Sequence, residues 1–296
     1  MLFVCHQALC HFRNACLKAC FRTTMPSLPL ELLHSICDFV AESEDHPTLR
    51  SYALVCPGLV KQCQRYLFSK VTLSFRGGGG PRSVQRLDQV LQDNETLGSY
   101  IKSLSVLFSY KGEYSYRTLP TILSKCTKIC SFRLQAALSM MYPPIGDWPA
   151  SFPDDTRMAV EAILYSPLLT ELAVVGFHLS VPNFFSRCST SLAQVEIIGK
   201  AESSSSDYHD PAGSLISPRR IIASPETMSC LLDAKRRQSG GPIFDLSKLL
   251  DIWARSNWQI LDYVQSLNKI LQHGAPVERL SLEFTGEHLS TKSTYL

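Results

Sequence analysis

The sequence predicts an α+β protein, with a small N-terminal three-helix bundle followed by an irregular α/β solenoid. Three observations predict this architecture. Apolar residues recur at helical spacing in three short segments between residues 26 and 70. A six-residue apolar pattern, typical of a short strand, then returns along the rest of the chain. Helical stretches lie between these returns, so that strand, connection and helix repeat along the sequence.

Length and composition set the broad class of the protein. The chain has 296 residues, 45% of them hydrophobic and 19% charged, so it can bury a sizeable core over one or two domains. The formal net charge is only +3, and the basic residues are spread along the chain. This weak, dispersed charge argues against binding to nucleic acid or to a membrane surface.

The longest apolar window, residues 163–185, is unsuited to a membrane. It contains Pro167, Glu171, His178 and Pro182, which a spanning helix would have to bury in hydrocarbon. We therefore predict no transmembrane segment and no membrane partner.

Residues 1–25 are predicted to be a poorly ordered leader. They contain no clean apolar block before a cleavage site, so they make a poor secretory signal. The eleven cysteines leave one unpaired, which indicates reduced thiols in an intracellular protein that is cytoplasmic, nuclear or both. The leader carries a Cys and His cluster whose gaps fit no zinc module, so no metal site is predicted. Its members are Cys5, His6, Cys10, His11, Cys16 and Cys20.

The stretch SLPLELLHSICDFV, residues 27–40, is predicted to form a short amphipathic helix. Pro26 and Pro29 precede it, and Glu31 lies in its first turn, where a carboxylate interacts favourably with the helix dipole. The apolar residues recur at steps of three and four and form two flanks. They are Leu32, Leu33, Ile36, Cys37, Phe39 and Val40.

Two further short helices are predicted before residue 70. The acidic loop 41–47 leads to Thr48, a candidate cap for the second helix, and Pro57 ends that helix and begins the third. Three short helices make a small core, so another surface should cover the spare apolar flank. That surface belongs either to the rest of this chain or to another protein.

Several residues of this region have a characteristic order and spacing. They are Leu28, Pro29, Leu30, Glu31, Leu32 and Leu33, then Ile36 and Val40, then Leu49, Ala53, Leu54, Val55 and Cys56. This arrangement resembles the F-box, which opens with Leu-Pro and a helix and later carries a Leu-Val-Cys step. Residues 64–68, with Val71 and Leu73, look like the extension in F-box-like proteins of mushroom-forming fungi. The resemblance covers residues 26–73.

The resemblance implies an F-box-like domain, here residues 26–75, that docks on the Skp-type adaptor of an SCF ubiquitin ligase and through it on a cullin. It also implies that a set of residues lies at or beside the adaptor surface. They are Leu28, Pro29, Leu32, Ile36, Val55, Cys56 and Leu59. The family often has a Trp at the position of Leu59.

Residues 76–83 are predicted to be a flexible Gly-rich linker. The run of four glycines lacks the Gly-Lys-Ser/Thr end of a P-loop. Residues 84–296 then carry a repeated six-residue pattern, in which the first, fourth and sixth residues are apolar. It occurs at Ile101, Leu104 and Val106; at Ile129, Phe132 and Leu134; at Leu169, Leu172 and Val174; at Leu192, Val195 and Ile197; and at Val277, Leu280 and Leu282.

The repeats look like an irregular leucine-rich-repeat solenoid, in which each unit buries its apolar edge by stacking on its neighbours. Helices are expected over residues 84–91, 119–126, 158–165 and 258–271, a further unit around Leu246, Leu249 and Ile252, and a polar insertion at about 200–226. The spacing is uneven, so the alternative is a set of core strands in an unrelated α/β domain.

The sequence carries no recognisable catalytic motif. It has no nucleophile elbow, zinc-protease helix, P-loop or Cys-x-x-Cys pair. Asp154 and Asp155 are adjacent and would point apart in an extended loop. His178 is interpreted as structural, and Cys188 and Cys230 have no base at motif spacing. We therefore predict a protein that is not an enzyme, with no catalytic residue and no cofactor.

Two hypotheses of function follow, with a hidden thiol or metal enzyme as a third. The first is an adaptor that links a Skp-type protein to a protein target bound on the strand face of the solenoid. The second is a non-catalytic repeat scaffold in which the bundle only caps the solenoid. Candidate surface residues on the strands are Lys102, Arg133, Glu171, Gln194, Glu196 and Glu283.

Overall fold

The computed structural model describes most of the chain. It covers residues 28–75, 80–108, 116–136, 145–147, 152–203, 215–234, 242–256, 264, 268–272, 275–284 and 292–295. The predicted leader, with its Cys and His cluster, and the first half of the predicted linker lie outside these ranges. None of the helices in them combines the length and the apolar character that a membrane-spanning helix needs.

Three short helices form the N-terminal bundle: α1 (Leu30–Glu42), α2 (His46–Val55) and α3 (Val60–Leu67), with a 3₁₀ turn over Pro57–Leu59. Pro29 precedes α1 and Glu31 lies in its first turn, as predicted. Thr48 is not the cap of α2. The cap is Asp45, whose carboxylate accepts hydrogen bonds from the backbone N–H and the hydroxyl of Thr48, so α2 begins two residues before Thr48.

A ten-stranded sheet follows the bundle. Its strands are β1 (Lys70–Ser74), β2 (Ser103–Phe108), β3 (Ser131–Ala136), β4 (Ile145–Asp147), β5 (Glu171–Ser180), β6 (Gln194–Glu202), β7 (Arg220–Ala223), β8 (Asp251–Ser256), β9 (Arg279–Phe284) and β10 (Lys292–Tyr295). They lie side by side in chain order, except that β4 pairs with β5 beside the main path. Each pairing is parallel apart from that of β9 with β10. The chain is therefore a mixed α/β protein.

Helices connect the strands: α4 (Gly80–Asp93), α5 (Leu119–Lys125), α6 (Asp154–Leu164), α7 (Val181–Phe185) and α8 (Pro225–Asp233), with 3₁₀ turns over Glu95–Tyr100, Tyr116–Thr118 and Leu246–Lys248. Three of the predicted helices overlap α4, α5 and α6. Of the fourth, predicted over residues 258–271, residues 264 and 268–271 are described and are helical.

The repeated apolar pattern is aligned across the strands. The middle apolar residue of each unit is the Cα partner of its counterpart in the next strand, in the order Leu104, Phe132, Leu172, Val195, Ile221, Ile252 and Leu280. Of the expected unit around Leu246, Leu249 and Ile252, Ile252 lies in β8 and Leu249 precedes that strand, and all three residues are buried. The unit of Ile221 was missed because its strand is only four residues long.

A ladder of shared hydrogen bonds marks where β2, β3 and β5 to β9 begin. The carbonyl oxygen of Lys102 accepts from the N–H groups of Cys130, at 2.8 Å, and Ser131, at 3.0 Å. The carbonyls of Ser69, Cys130, Thr170, Ala193, Arg219 and Leu250 each accept in the same way from two consecutive N–H groups of the next strand. The strand starts are thus fixed to one another, although the connections between them differ in length.

Two predicted loop regions are shorter than expected. The polar insertion predicted at about 200–226 is wrong at both ends, since β6 continues to Glu202 and the region also contains β7 and the start of α8. The linker predicted over residues 76–83 is wrong in its second half, because α4 begins at Gly80. The proline at position 81 does not prevent this, since proline is tolerated in the first turn of a helix.

β5 and β6 change register at a bulge near their middle. The pairing shifts between Val175 and His178. Gly176 has a positive φ of 81°, a conformation that residues with a Cβ atom rarely adopt. Opposite the bulge, a Cβ on Gly199 would lie 2.4 Å from the carbonyl oxygen of Phe177. The close approach of the two strands therefore requires glycine at position 199.

The two faces of the sheet differ in composition. One face forms the main core with α4 to α8, which contribute buried residues such as Val84, Ile122, Val160, Phe184 and Leu231. The other, which we call the open face, carries Ser105, Arg133, Ala173, Glu196, Ile222, Trp253 and Ser281 as successive Cα partners. Side chains alternate along a strand, so these residues point away from the core.

The bundle meets the sheet through α3 and the strand that follows it. Phe68 and Val71 pack against the main core, and the Arg65 guanidinium lies 5.8 Å from the centre of the Tyr100 ring. Lys70 of β1 also pairs with Glu44 at 2.5 Å, although both side chains are largely exposed. The strand β1 thus belongs to both regions, because it directly follows α3 and pairs with β2.

Candidate functional site

The bundle has a small core of its own, separate from that of the sheet. Its fully buried apolar residues in the described region are Cys37, Leu49, Leu59 and Cys63. The sulfur atoms of Cys37 and Cys63 lie 3.6 Å apart. Burial raises the pKa of both thiols, that of Cys63 to about 12, so both stay protonated at neutral pH.

A polar contact joins α1 to α3 beside this core. The Asp38 carboxylate accepts hydrogen bonds from Nε2 of Gln62, at 2.7 Å, and from the hydroxyl of Tyr66, at 2.8 Å. These hydrogen bonds hold the pKa of Asp38 below its ordinary value, while burial and the bond to Asp38 raise the pKa of Tyr66 to about 12. The bundle is therefore closed on the α3 side by both apolar and charged contacts.

The opposite side of the bundle leaves large apolar side chains in solvent. With their exposed fractions, they are Leu28 55%, Leu30 46%, Leu32 51%, Ile36 39%, Phe39 72%, Leu54 59% and Val55 75%. We call this set the apolar face. Apolar side chains exposed singly are common on protein surfaces, but Leu32, Ile36 and Phe39 recur at helical spacing on one side of α1, and an exposed stripe of this kind is typical of an interaction site.

Two segments meet at the start of α1. The methyl carbon Cδ1 of Leu30 would lie 3.2 Å from a Cβ on Gly58, in the 3₁₀ turn that follows α2. The N-terminal end of α1 therefore lies against the corner between α2 and α3. This brings the Leu-Pro segment near the Leu-Val-Cys step, which the resemblance implies share one surface.

The predicted adaptor-binding residues differ in their exposure to solvent. Leu28, Pro29, Leu32, Ile36 and Val55 are exposed. Cys56 is half-buried at the end of α2. Leu59 is only 2% exposed and packs in the bundle core, so its assignment as a contact residue is corrected to a core residue.

Three residues of the apolar face were not among the predicted contacts: Leu30, Phe39 and Leu54. Helical spacing contained the signal for one of them, since Phe39 lies seven residues after Leu32 and three after Ile36, on the same side of α1. Leu54 immediately precedes the predicted Val55. Its exposure depends on how α2 packs, which spacing alone does not define.

The open face of the sheet is a second surface with polar and aromatic groups. Arg133 pairs with Glu196 across the intervening Ala173, with 2.5 Å between Nη2 and Oε2, and Glu196 is buried. Farther along, the Arg220 guanidinium lies 5.3 Å from the centre of the Trp253 ring. Of the other strand residues predicted to lie on the surface, Lys102 and Glu171 are exposed and Gln194 is half-buried. Glu283 lies in β9, and its side chain is outside the described part.

The residues considered for chemistry are held in ion pairs or are partly or fully buried. Asp154 begins α6 and pairs with Arg157 at 2.7 Å. His178 lies 3.0 Å from the carboxylate of Glu202. Burial raises the pKa of Cys188 and Cys230, which favours their protonated thiols. Among the described residues, no three His, Cys, Asp or Glu side chains are grouped so as to hold a metal ion.

Comparisons with known proteins gave no match. A scan against models of protein families found none that matches the chain. A search of curated proteins and a search of solved structures also found no match.

Proposed function

We propose that this protein is an F-box-type substrate-recognition adaptor. Its N-terminal bundle binds the Skp-type adaptor of an SCF ubiquitin ligase, and its sheet region binds a protein target for ubiquitin-dependent degradation. The protein performs no chemistry itself in this role. It holds the target near a cullin ligase through two separate surfaces.

The observation that carries the proposal is the apolar face of the bundle. Leu32, Ile36 and Val55 are predicted contacts by resemblance to the F-box, and these residues are 51%, 39% and 75% exposed. Burying large apolar side chains against a partner supplies about 25 cal/mol per Å² of apolar surface removed from water. A bundle that exposes this face while keeping its own core is suited to a stable protein partner.

The sheet supports the second half of the proposal. Its aligned apolar units and shared hydrogen-bond ladder favour an irregular leucine-rich-repeat-like solenoid, in which neighbouring units stack. The open face would then present side chains from many strands to one target. Extended surfaces of this kind are typical of repeat proteins that bind other proteins.

Capture of the purified Skp-type adaptor by the full-length protein tests the proposal. The variant Leu32→Asp with Ile36→Asp should lose capture by about a hundredfold or more, because two charges would replace the centre of an apolar contact. The double variant Met158→Asp with Leu168→Asp is the matched control, since both residues are exposed apolar side chains in the sheet region. It should capture as the wild type does. Undiminished capture by the first variant would remove the proposed surface.

A second candidate function is a non-catalytic repeat scaffold in which the bundle caps the solenoid. The packing of α3 on the first sheet unit, with Arg65 over Tyr100, favours it. In that case Arg65→Ala, which removes this contact, should lower the thermal stability of the sheet region. In the adaptor, Leu32→Asp with Ile36→Asp should leave the melting temperature close to that of the wild type, because both side chains are exposed, while capture is lost.

A further inference from the structure

The exposed side of α1 carries a row of large apolar residues. Leu32, Ile36 and Phe39 follow one another at steps of four and three residues, so they lie on one side of the helix. All three are exposed, whereas Cys37 on the other side of α1 is buried in the bundle core. We call Leu32, Ile36 and Phe39 the α1 stripe.

A row of polar residues runs along one flank of the α1 stripe. Glu31 and Glu42 are eleven residues apart in α1. This separation is close to three helical turns, so both carboxylates lie on the same flank, about 16 Å apart along the axis. Both residues are exposed. Ser35 lies between them, and its hydroxyl donates a hydrogen bond to the carbonyl oxygen of Glu31.

The two carboxylates are not neutralised within the described part of the chain. Neither Glu31 nor Glu42 forms an ion pair there. Glu42 is the last residue of α1, where the helix dipole disfavours a negative charge, and the acidic residues Glu44 and Asp45 follow it. The flank of the α1 stripe is therefore negative in the free protein.

The basic residues of the bundle lie on other elements or on the other side of α1. Lys70 of β1 pairs with Glu44, and the Arg65 guanidinium lies over the Tyr100 ring. Arg50 of α2 and Lys61 of α3 are not within ion-pair distance of the α1 carboxylates. The half-buried His34 is near Asp38, on the side of α1 away from the stripe.

The geometry of the α1 stripe is suited to a helix. The backbone N–H and C=O groups inside α1 are bonded within the helix, so the stripe offers only side chains to a partner. An extended segment lying on it would bury polar backbone groups without hydrogen-bond partners. A helix bonds its own backbone, and a ridge of its side chains packs along residues spaced by three and four.

We propose that an amphipathic helix of the Skp-type adaptor lies along the α1 stripe, with lysine or arginine residues beside Glu31 and Glu42. Its apolar side would cover Leu32, Ile36 and Phe39, and its basic residues would form ion pairs at the two ends of the contact. The inference rests on the proposed function for the source of this helix. It adds the charge that the helix must carry and the positions of that charge.

A second copy of this chain is less suited to the same surface. If two α1 stripes packed antiparallel about a two-fold axis, equal flanks would meet. The acidic flanks of the two copies would then face each other, and like charges opposed across an interface weaken it. The acidic flank therefore favours a basic partner over self-association.

Binding of designed helical peptides to the full-length protein, measured by fluorescence anisotropy, tests the charge of the partner. The peptides have about 18 residues, long enough to form a helix, and share one apolar side. They carry two lysines, glutamines or glutamates on the flank of that side, or two lysines on the side opposite to it. The flank-lysine peptide should bind about fivefold more tightly than the flank-glutamine and opposite-side peptides. The flank-glutamate peptide should bind most weakly.

Paired variants of the protein make this measurement specific. Glu31→Gln with Glu42→Gln should remove the preference for flank lysines, and Glu31→Lys with Glu42→Lys should reverse it in favour of flank glutamates. The control, Glu171→Lys with Glu278→Lys, changes two exposed acids of the sheet region and should keep the wild-type preference. Circular dichroism checks that each variant is folded, and the glutamine pair carries the test if the lysine pair is not.

The purified Skp-type adaptor supplies the second measurement. Glu31→Lys with Glu42→Lys should weaken its capture by about tenfold at low salt. The loss should shrink in about 0.5 M salt, because salt screens exposed charges. Leu32→Asp with Ile36→Asp should lose both the adaptor and every peptide.

Several outcomes would overturn the inference. They are equal binding of the lysine and glutamine peptides, an unchanged preference in the glutamine pair, loss of the preference in the control pair, and peptide binding that survives Leu32→Asp with Ile36→Asp. A dimer of the wild type that this last variant abolishes would assign the stripe to a second copy instead. If the wild type captures the adaptor without any effect of Glu31 and Glu42, only the inference fails. If it captures no adaptor, the proposed function fails, whatever the peptides show.

Discussion

The N-terminal bundle and the sheet region use the same apolar residue types in opposite ways. Phe108 of β2 is 1% exposed, and its ring lies 4.8 Å from that of Phe152 and 5.8 Å from that of Phe177. Phe39 of α1 is 72% exposed. The sheet region buries most of its large apolar side chains between strands and helices, although Met158 and Leu168 are exposed. The bundle keeps a small core and leaves Phe39 and other large apolar side chains in solvent.

This difference indicates where each region obtains its stability. Helices α4 to α8 pack on one face of the sheet, so a long core forms within the chain. The bundle is too small to bury both flanks of α1, and the described part of the sheet covers only its α3 side. A partner that covers the apolar face would stabilise the bundle by binding its folded form.

The largest expected effect compares one substitution in the two regions. Phe108→Ala should lower the free energy of unfolding by about 4 kcal/mol, because it opens a cavity among packed rings. Phe39→Ala should change it by no more than about 0.5 kcal/mol, because the side chain is mostly solvated. Urea denaturation of the full-length variants measures both. Similar losses would mean that the two regions are not packed differently.

The next effect tests the bundle alone. Leu59→Ala should destabilise α1 to α3 by about 3 kcal/mol, whereas Leu54→Ala, on the exposed face, should be nearly neutral. Hydrogen exchange of peptides from the bundle and from the sheet, followed by mass spectrometry, separates the regions. Exchange should quicken in the bundle and stay unchanged in the sheet beyond β2. If Leu59→Ala left the bundle protected, its assignment to the core would be wrong.

A smaller effect is expected where β5 and β6 approach each other. Gly199→Ala should destabilise the sheet region by about 2 kcal/mol, since the added methyl group meets the Phe177 carbonyl and the strands must separate. Gly58→Ala is the control in the bundle, because its nearest atom is the flexible end of Leu30 at 3.2 Å. Thermal denaturation compares the two, and a larger loss for Gly58→Ala would contradict the close contact of β5 with β6.

The smallest expected effect is a dependence of bundle stability on pH. The pKa of Asp38 is lowered in the folded state by Gln62 and Tyr66, so its stabilising contribution is present above the unfolded value of 3.8. It is lost as the pH falls through the folded value. We expect about 1 kcal/mol, because the carboxylate is partly solvated.

The variant Asp38→Asn isolates this effect from that of other carboxylates. Between about pH 6 and about pH 3, hydrogen exchange in the bundle should change less in the variant than in the wild type. The sheet should respond alike in both proteins. Parallel pH profiles for the two bundles would show that the Asp38 hydrogen bonds do not contribute.

Local patterns predicted much of the secondary structure but not all of its boundaries. The apolar repeats at Leu104, Phe132, Leu172 and Val195 predicted β2, β3, β5 and β6, because strand alternation is a local property. The same reasoning missed β7, whose four residues are too few for a clear pattern. Backbone pairing with β6 and β8 stabilises it instead.

The candidate sites were predictable to different degrees. Helical spacing placed Leu32 and Ile36 on one flank of α1, and both are exposed. It could not distinguish Leu59, which is buried, from Leu54, which is not, because α2 and the following turn determine which side faces Cys37 and Cys63. The pairing of Arg220 with Trp253 joins two strands that are distant in sequence, and no spacing rule contains it.

The sequence alone determined the periodicity of the helices and strands, the division into an N-terminal helical segment and a repeated α/β region, and a dispersed charge balance. These depend on residues close together in the chain. Only the tertiary structure decided which apolar flank of the bundle stays exposed, which residues of distant strands meet on the open face, and how the strand starts align. Each of these depends on packing between segments far apart in sequence, where burial and pairing are properties of the folded chain.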